Sequence, residues 1–393
     1  MATLLPIKER TTNTREEQLI SHKHELEITD DSARWLELAE RYEVPVEEVA
    51  LIDFNRSGVA LPNGEVPVNF RVRFKGILMD GAGGSSWYAL PVRSEGDTNF
   101  VAIDDGLQFG GRPIGTIESL MLDTCEASYQ RGPHLLNLNS RSRSNCGGCR
   151  ACVHNYKNLY DETVIRDQDQ LMTEADLEAF FDAKTADGLD VAALQQIAVV
   201  TGLFGSEQAV VDHMKLVAHV AAKRGFAGEL MYFGCEVNSE AALEELAGLG
   251  NFALVYAIDN FTHRDRLLTK TKSLITLEDA RRTLELAKSK GIATNFAYIA
   301  GLDPIEDMTA GFTYLRDSLT RFPIVNVYQV QTTSQVKAMD PAAKGLEYYV
   351  QARKAIESAM QGSDLLPVRW ENYRPLWYNW YDGEPLATKP YGD

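Results

Sequence analysis

Long hydrophobic runs are absent from this 393-residue chain. No stretch approaches the roughly 20 apolar residues that a membrane-spanning helix needs. The N-terminal MATLLPIKERTTNTREE also lacks the apolar core of a secretory signal. Cysteine is scarce, with five residues of which three share one short loop. That pattern excludes the disulfide framework of a small secreted domain, and a reducing cytoplasm is the expected compartment. Positive charge is short as well: 39 Lys and Arg stand against 56 Asp and Glu, a formal net charge of −17. Phosphate backbones would be repelled by that balance, so no nucleic-acid partner is expected.

What is present suits a large folded body. Hydrophobic residues make up 45%, and the length leaves room for a main domain beside a smaller one. After about 31 polar residues that suit a loose arm or a first helix, SARWLELAERY predicts a helix with Trp35, Leu36, Leu38, Ala39 and Tyr42 on one stripe, and a second short helix begins at Val46. Between Phe70 and Glu126 the runs FRVRFKGILMD, SSWYALPVRS, NFVAIDD and IGTIESLML read as short strands of an antiparallel sheet. Residues 1–126 are therefore expected to form an α+β accessory domain. From LLNLN (135–139) onward, apolar strands alternate with amphipathic helices. QQIAVVTG, ELMYFG, FALVYAID, IATNFAYIAG and IVNVYQV are the strands, and the helix beginning EADLEAFFDA after Thr173 carries a capping pattern. Continuous apolar strands between helices imply a parallel sheet covered on its outside. The expected fold is α/β, a partial (βα)6 TIM-type barrel over 127–345, with a doubly wound open sheet as the alternative. A final helix and a Trp- and Tyr-rich cap, PVRWENYRPLWYNWYDGEP, occupy 346–393. In either architecture ligands sit beyond the carboxyl ends of the strands.

The stretch that carries chemistry is SRSRSNCGGCRACVHNY, Ser140 to Tyr156. Cys146, Cys149 and Cys152 are each separated by two residues. Thiolates this close repel one another and ionise together only around a cation. Gly147 and Gly148 let the backbone wrap that centre closely. Three cysteines are one short of a closed site, so an iron centre held by them keeps an open position. Zinc is the other reading, with His154 as a fourth ligand. In that case the protein is a zinc-stabilised binding protein on a degenerate barrel.

A three-cysteine loop directly after the first strand of a barrel resembles the radical S-adenosylmethionine (radical SAM) superfamily. The segment KSLITLEDARRTLELAKSKGIATNFAYIAGLDP is similar to the biotin-synthase-like branch of it. The likeness covers roughly residues 130 to 340. It departs from the family in having two residues rather than three between the first two cysteines, and Ala151 where an aromatic is usual. The resemblance implies a 4Fe-4S cluster on Cys146, Cys149 and Cys152, SAM on its open iron, and a 5′-deoxyadenosyl radical that takes hydrogen from a small polar substrate. It also implies an electron donor such as flavodoxin or ferredoxin. Carried over position by position, it places Gly202, Gly205 and Glu207 after the second strand against the SAM amino group. Asp259, Asn260, Arg264 and Arg266 after the fourth strand would face ribose and carboxylate, and Ile299 and Gly301 the adenine. Gln329 and Gln331 fall on one face of the sixth strand, where they could bond adenine or substrate. Cys235, in YFGCEVN after the third strand, is the candidate catalytic thiol, a hydrogen-atom donor or a ligand to an intermediate. A small buried residue is its structural alternative. For the aromatic tail, packing and a substrate cap presenting Arg369, Arg374 or Tyr378 are both open.

Overall fold

The computed structural model describes residues 27, 29, 31–60, 68–74, 86–90, 92–93, 98–122, 128–132, 134–140, 149–150, 171–330, 333–368 and 374–386. Cys146, Cys152, His154, Gln331 and Arg369 lie outside the described residues. Of the cysteine loop, Cys149 and Arg150 are described.

Helix Ala33–Tyr42 buries Trp35 and Leu38 and half-buries Ala39 and Tyr42, an i, i+3, i+4, i+7 stripe. Leu36 is 58% exposed and not on that stripe, because one residue turns the helix by about 100°. The next helix, Val46–Ser57, is longer than expected and buried at every position from Glu48 to Ser57. Buried polar groups at that density are tolerable only when bonded. Asp53 accepts from the Trp35 indole N–H and from Arg56, both at 2.9 Å. Glu48 accepts from the backbone N–H groups of Tyr378 and Asn379, at 2.9 and 2.7 Å, and pairs with Arg353.

These helices rest on a seven-stranded sheet of β1 (Val59–Ala60), β2 (Val68–Phe74), β3 (Ser86–Leu90), β4 (Val92–Arg93), β5 (Phe100–Ile103), β6 (Gly106–Phe109) and β7 (Arg112–Leu122), ordered β3-β2-β7-β6-β5-β1-β4. Pairing is antiparallel except where β1 meets β4 and β5. β6 is a strand that the sequence pattern does not mark; its hairpin with β5 turns through Asp104 at φ 52°. Trp35 meets Phe109 at a tilt, 4.4 Å between centroids, and Phe54 meets Phe100 edge-on at 5.1 Å.

The second sheet holds β8 (Ser128–Gly132), β9 (Leu135–Leu138), β10 (Gln196–Val200), β11 (Glu229–Gly234), β12 (Phe252–Asp259), β13 (Ala293–Ala300) and β14 (Ile324–Val327). From β9 to β14 all neighbours are parallel, and spatial order follows chain order without reversal. A doubly wound sheet must reverse its order at a switch point. The six strands are instead the expected partial barrel, with β8 added antiparallel at one edge. At the other edge the Val327 N–H donates to Arg374 O at 2.8 Å, and the Arg374 N–H to Asn326 Oδ1 at 2.9 Å. The tail thus covers an edge that would otherwise stay unpaired.

Helices Glu174–Ala186, Glu207–Ala222, Glu240–Ala247, Leu277–Ser289, Ile305–Leu315 and Leu346–Met360 cover the outer face. Thr173 opens the first with a capping box to Asp176, and Thr276 opens the fourth with one to Asp279. Strand residues of the other parity, Ala198, Met231, Ala253, Val255, Ala297 and Ile324, form a separate apolar cluster on the inner face. At the amino end of the barrel Glu229 closes the floor. It accepts from Gln196 and from Arg321, each at 2.8 Å. No helix among the described residues is long and apolar enough to cross a membrane.

Candidate active site

The carboxyl end of the barrel brings together Cys149, Cys235, Asp259 and Lys272. Cys149 is buried, and its Sγ accepts the Thr269 N–H at 3.4 Å. The adjacent Arg150 N–H donates to Leu267 O at 2.7 Å. Two bonds therefore pin the cysteine loop to the segment that follows β12. That segment forms two single-turn helices, Arg264–Leu267 and Lys270–Ser273, which the sequence pattern does not announce.

Lys272 reaches back from the second of them to pair with the Asp259 carboxylate. The pair is largely enclosed, with 17% and 14% of the two side chains exposed. Burial works against the Lys272 charge. Asp259, Cys235 and Cys149 outweigh it and hold the ammonium above the ordinary lysine range. Asp259 sits at φ 69°, where the pairing of β12 with β13 slips between Ala257 and Asp259. Such a slip re-aims a strand-end side chain. Cys235 follows β11 and is 2% exposed. Burial pushes its thiol up to about 11; Lys272 pulls down against that, and Asp259, Glu236 and Cys149 add to the rise. At neutral pH it keeps its hydrogen.

Around this cluster the loops hold one another. Glu207, at the start of the helix after β10, accepts from the Ser239 N–H at 2.7 Å and from the Asn238 N–H beyond β11. Burial opposes its ionisation, but these donors outweigh it and hold its carboxyl below the ordinary range. Glu236, beyond β11, accepts in return from the N–H groups of Phe204 and Gly205, both at 2.7 Å. The two loops exchange carboxylates. Asn238 braces the same turn, donating to Cys235 O at 3.1 Å and accepting from Tyr256 and Thr283. Gly205 provides the left-handed φ of 95° that its loop requires, and Gly202 beside it is half-buried.

The remaining expected residues divide. Arg264 spends its guanidinium on backbone oxygens, those of Ile258 at 2.7 Å, Lys272 at 2.9 Å and Asn260. Arg266 is exposed. Ile299 is half-buried on the inner face of β13. Gly301 has φ 121°, and a Cβ there would stand 2.8 Å from the Tyr349 hydroxyl and 2.9 Å from Tyr328 Cβ. Gln329 is buried and donates to Asn55 O of the N-terminal helix. Tyr378 donates to Leu51 O at 3.0 Å and also lies in packing.

Four residues that shape the mouth escape sequence reasoning: Lys272, Glu236, Asn238 and Asp303. Asp303 is fully buried and accepts from Phe261 N–H at 2.7 Å, Thr262 N–H at 2.8 Å and the Tyr298 hydroxyl at 2.9 Å, which ties the turns after β12 and β13. Its signal was the GLDP turn itself, an acid between an apolar strand and a helix. Lys272 offers no such signal within RDRLLTKTKS. Among the described residues no three His, Cys, Asp or Glu side chains gather as a metal site, Cys149 being the described member of its triplet.

No protein-family model matches the chain, and no curated protein is similar to it. Among solved structures it is similar to the FeFe-hydrogenase maturase HydG of Carboxydothermus hydrogenoformans, with 14% identity and a TM-score of 0.33. The match covers 47% of this chain and 43% of that one, less than half the length of the maturase. A likeness of this size says nothing about activity, and the site stands on its own residues.

Proposed function

We propose that this chain is a radical SAM enzyme acting on a small polar substrate. One observation carries the reading: a cysteine of a CxxCxxC loop is held by a backbone N–H at the carboxyl end of a six-stranded parallel barrel, beside a second thiol and a buried Lys–Asp pair. The donor set fits an iron–sulfur cluster. Three thiolates would carry net negative charge, which the Lys272 ammonium and the Thr269 N–H both offset. When bound, a 4Fe-4S cluster on Cys146, Cys149 and Cys152 supplies the electron that splits SAM to a 5′-deoxyadenosyl radical.

The chain's own residues do the rest. Lys272 and Asp259 present opposite charges side by side, the complement of the α-amino acid end of SAM. Ile299 and the Gly301 turn offer an apolar edge for adenine. Met231, Val255, Ala297 and Ile324 close the lumen below against water. Cys235 retains a weak S–H bond at the rim, a source of one hydrogen atom for a substrate radical. Glu207, bonded to the neighbouring turn, and Arg264, whose two terminal nitrogens hold backbone oxygens, build the mouth.

Anaerobic reconstitution with iron and sulfide tests this reading. The wild-type protein should turn brown, bind about four irons and form 5′-deoxyadenosine from SAM with dithionite. Cys149→Ala should lose both properties. A colourless protein with one tightly held zinc would overturn the proposal in favour of a zinc-stabilised binding protein.

A further inference from the structure

We infer that the segment covering Cys149 is the docking surface for an acidic one-electron carrier protein. The chain carries a net charge of −17, yet between His263 and Leu274 it places Arg264, Arg266, Lys270 and Lys272 against a single acid, Asp265. Arg264 and Lys272 are occupied inside, on backbone oxygens and on Asp259. Arg266 and Lys270 are exposed, as is Arg150 at the point where the cysteine loop meets this segment, and none of the three pairs with an acid among the described residues. On the helical face of the barrel, by contrast, Lys223, Arg224 and Lys290 each meet two carboxylates. Unpaired positive charge on an acidic protein steers an acidic partner to one place.

The same segment exposes Leu274 at 69%, the most exposed of the large hydrophobic side chains among the described residues. An exposed apolar side chain in the same short stretch as exposed cations is the composition of a transient docking site. Its position matters as much as its charge. The Thr269 N–H that touches Cys149 Sγ belongs to this stretch, so a carrier seated here stands over the thiol. The inference deepens the radical SAM reading and rests on it. In the step, the carrier is oxidised by one electron and the iron centre reduced by one, with no bond made or broken.

Binding is tested with purified flavodoxin, titrated calorimetrically into reconstituted wild-type protein and into Lys270→Glu and Leu274→Ser. Either variant should weaken binding about tenfold, and added salt should weaken wild-type binding toward the level of Lys270→Glu. Reduction by flavodoxin should fall in parallel while reduction by dithionite stays unchanged. Unchanged flavodoxin affinity in both variants would overturn the inference, as would a wild-type protein that dimerises through Leu274. A protein that dithionite fails to reduce would instead remove the underlying reading.

Discussion

Among the described residues, the ion pair on the last long helix and the one at the barrel mouth are built in opposite ways. Arg353, on the last long helix, is 1% exposed and meets every demand made by its burial. It donates to Glu48 and Glu357, to Leu376 O at 2.8 Å and to Trp380 O at 2.6 Å. Glu48 is equally well supplied, as its backbone partners in the tail show. This group fastens the N-terminal helix, the last helix and the tail into one piece. At the barrel mouth, Lys272 and Asp259 have each other, and Asp259 is held in a left-handed backbone conformation. A saturated pair has no capacity left for a ligand. An enclosed pair with spare hydrogen-bonding capacity is suited to receive one.

The contrast breaks if removing one partner of the clamp is cheap. Glu48→Gln leaves Arg353 short of a charge in the interior and should cost about 3–5 kcal/mol in urea unfolding. Pairing it with Arg353→Met should recover much of that loss. A cost near zero for the single change would show that the clamp does not hold the halves together.

A second unsatisfied group lies one layer behind the mouth and sharpens the same point. His213 is 3% exposed, packs 5.1 Å from Phe204, and neither ring nitrogen has a partner among the described residues. Burial alone lowers its pKa from 6.5 to about 4. The unfolded chain then binds a proton that the folded chain refuses between those values, so stability is full at pH 7 and falls as the pH drops through 6.5 toward 4. The loss attributable to this residue should reach about 3 kcal/mol. His213→Phe should flatten that part of the profile, measured by denaturant unfolding at pH 7 and 4.5. An unchanged slope would assign the acid sensitivity to other groups.

Smallest in stability, and largest in function, is Lys272→Met. The change leaves the enclosed Asp259 carboxylate without its cation, and with the pair still partly open to solvent the unfolding free energy should fall by about 2 kcal/mol. SAM affinity of the reconstituted protein should fall at least tenfold if the pair receives the ligand. Equal affinity with equal iron content would make the mouth pair a structural brace like the clamp.

Local patterns carried the barrel. Period-2 and helical runs from Leu135 to Met360, with caps at Thr173, Ser206, Ser239 and Thr276, lie in the residues themselves. The cysteine loop was legible for the same reason, as chemistry written in adjacent positions. Helix Val46–Ser57 was harder: its Glu48, Asp53, Asn55 and Arg56 read as a solvent face, and for Glu48 and Asn55 the partners that make them interior lie some 300 residues away. Lys272 was hidden in a run of cations that differ in where they point. Glu207 matched a ligand position and proved to be bonded to the neighbouring turn. In each case the decisive partner lies on another element, and local spacing holds no record of it.

The crossed carboxylates of Glu207 and Glu236 have a mechanical consequence. Each loop is latched by an acid rooted in the other, so neither can swing away without releasing both. The turns after β10 and β11 therefore behave as one stiff wall. Across the mouth the turn after β12 is tied to that after β13 by one buried carboxylate, Asp303, so there a single protonation would loosen what two acids hold on the near side.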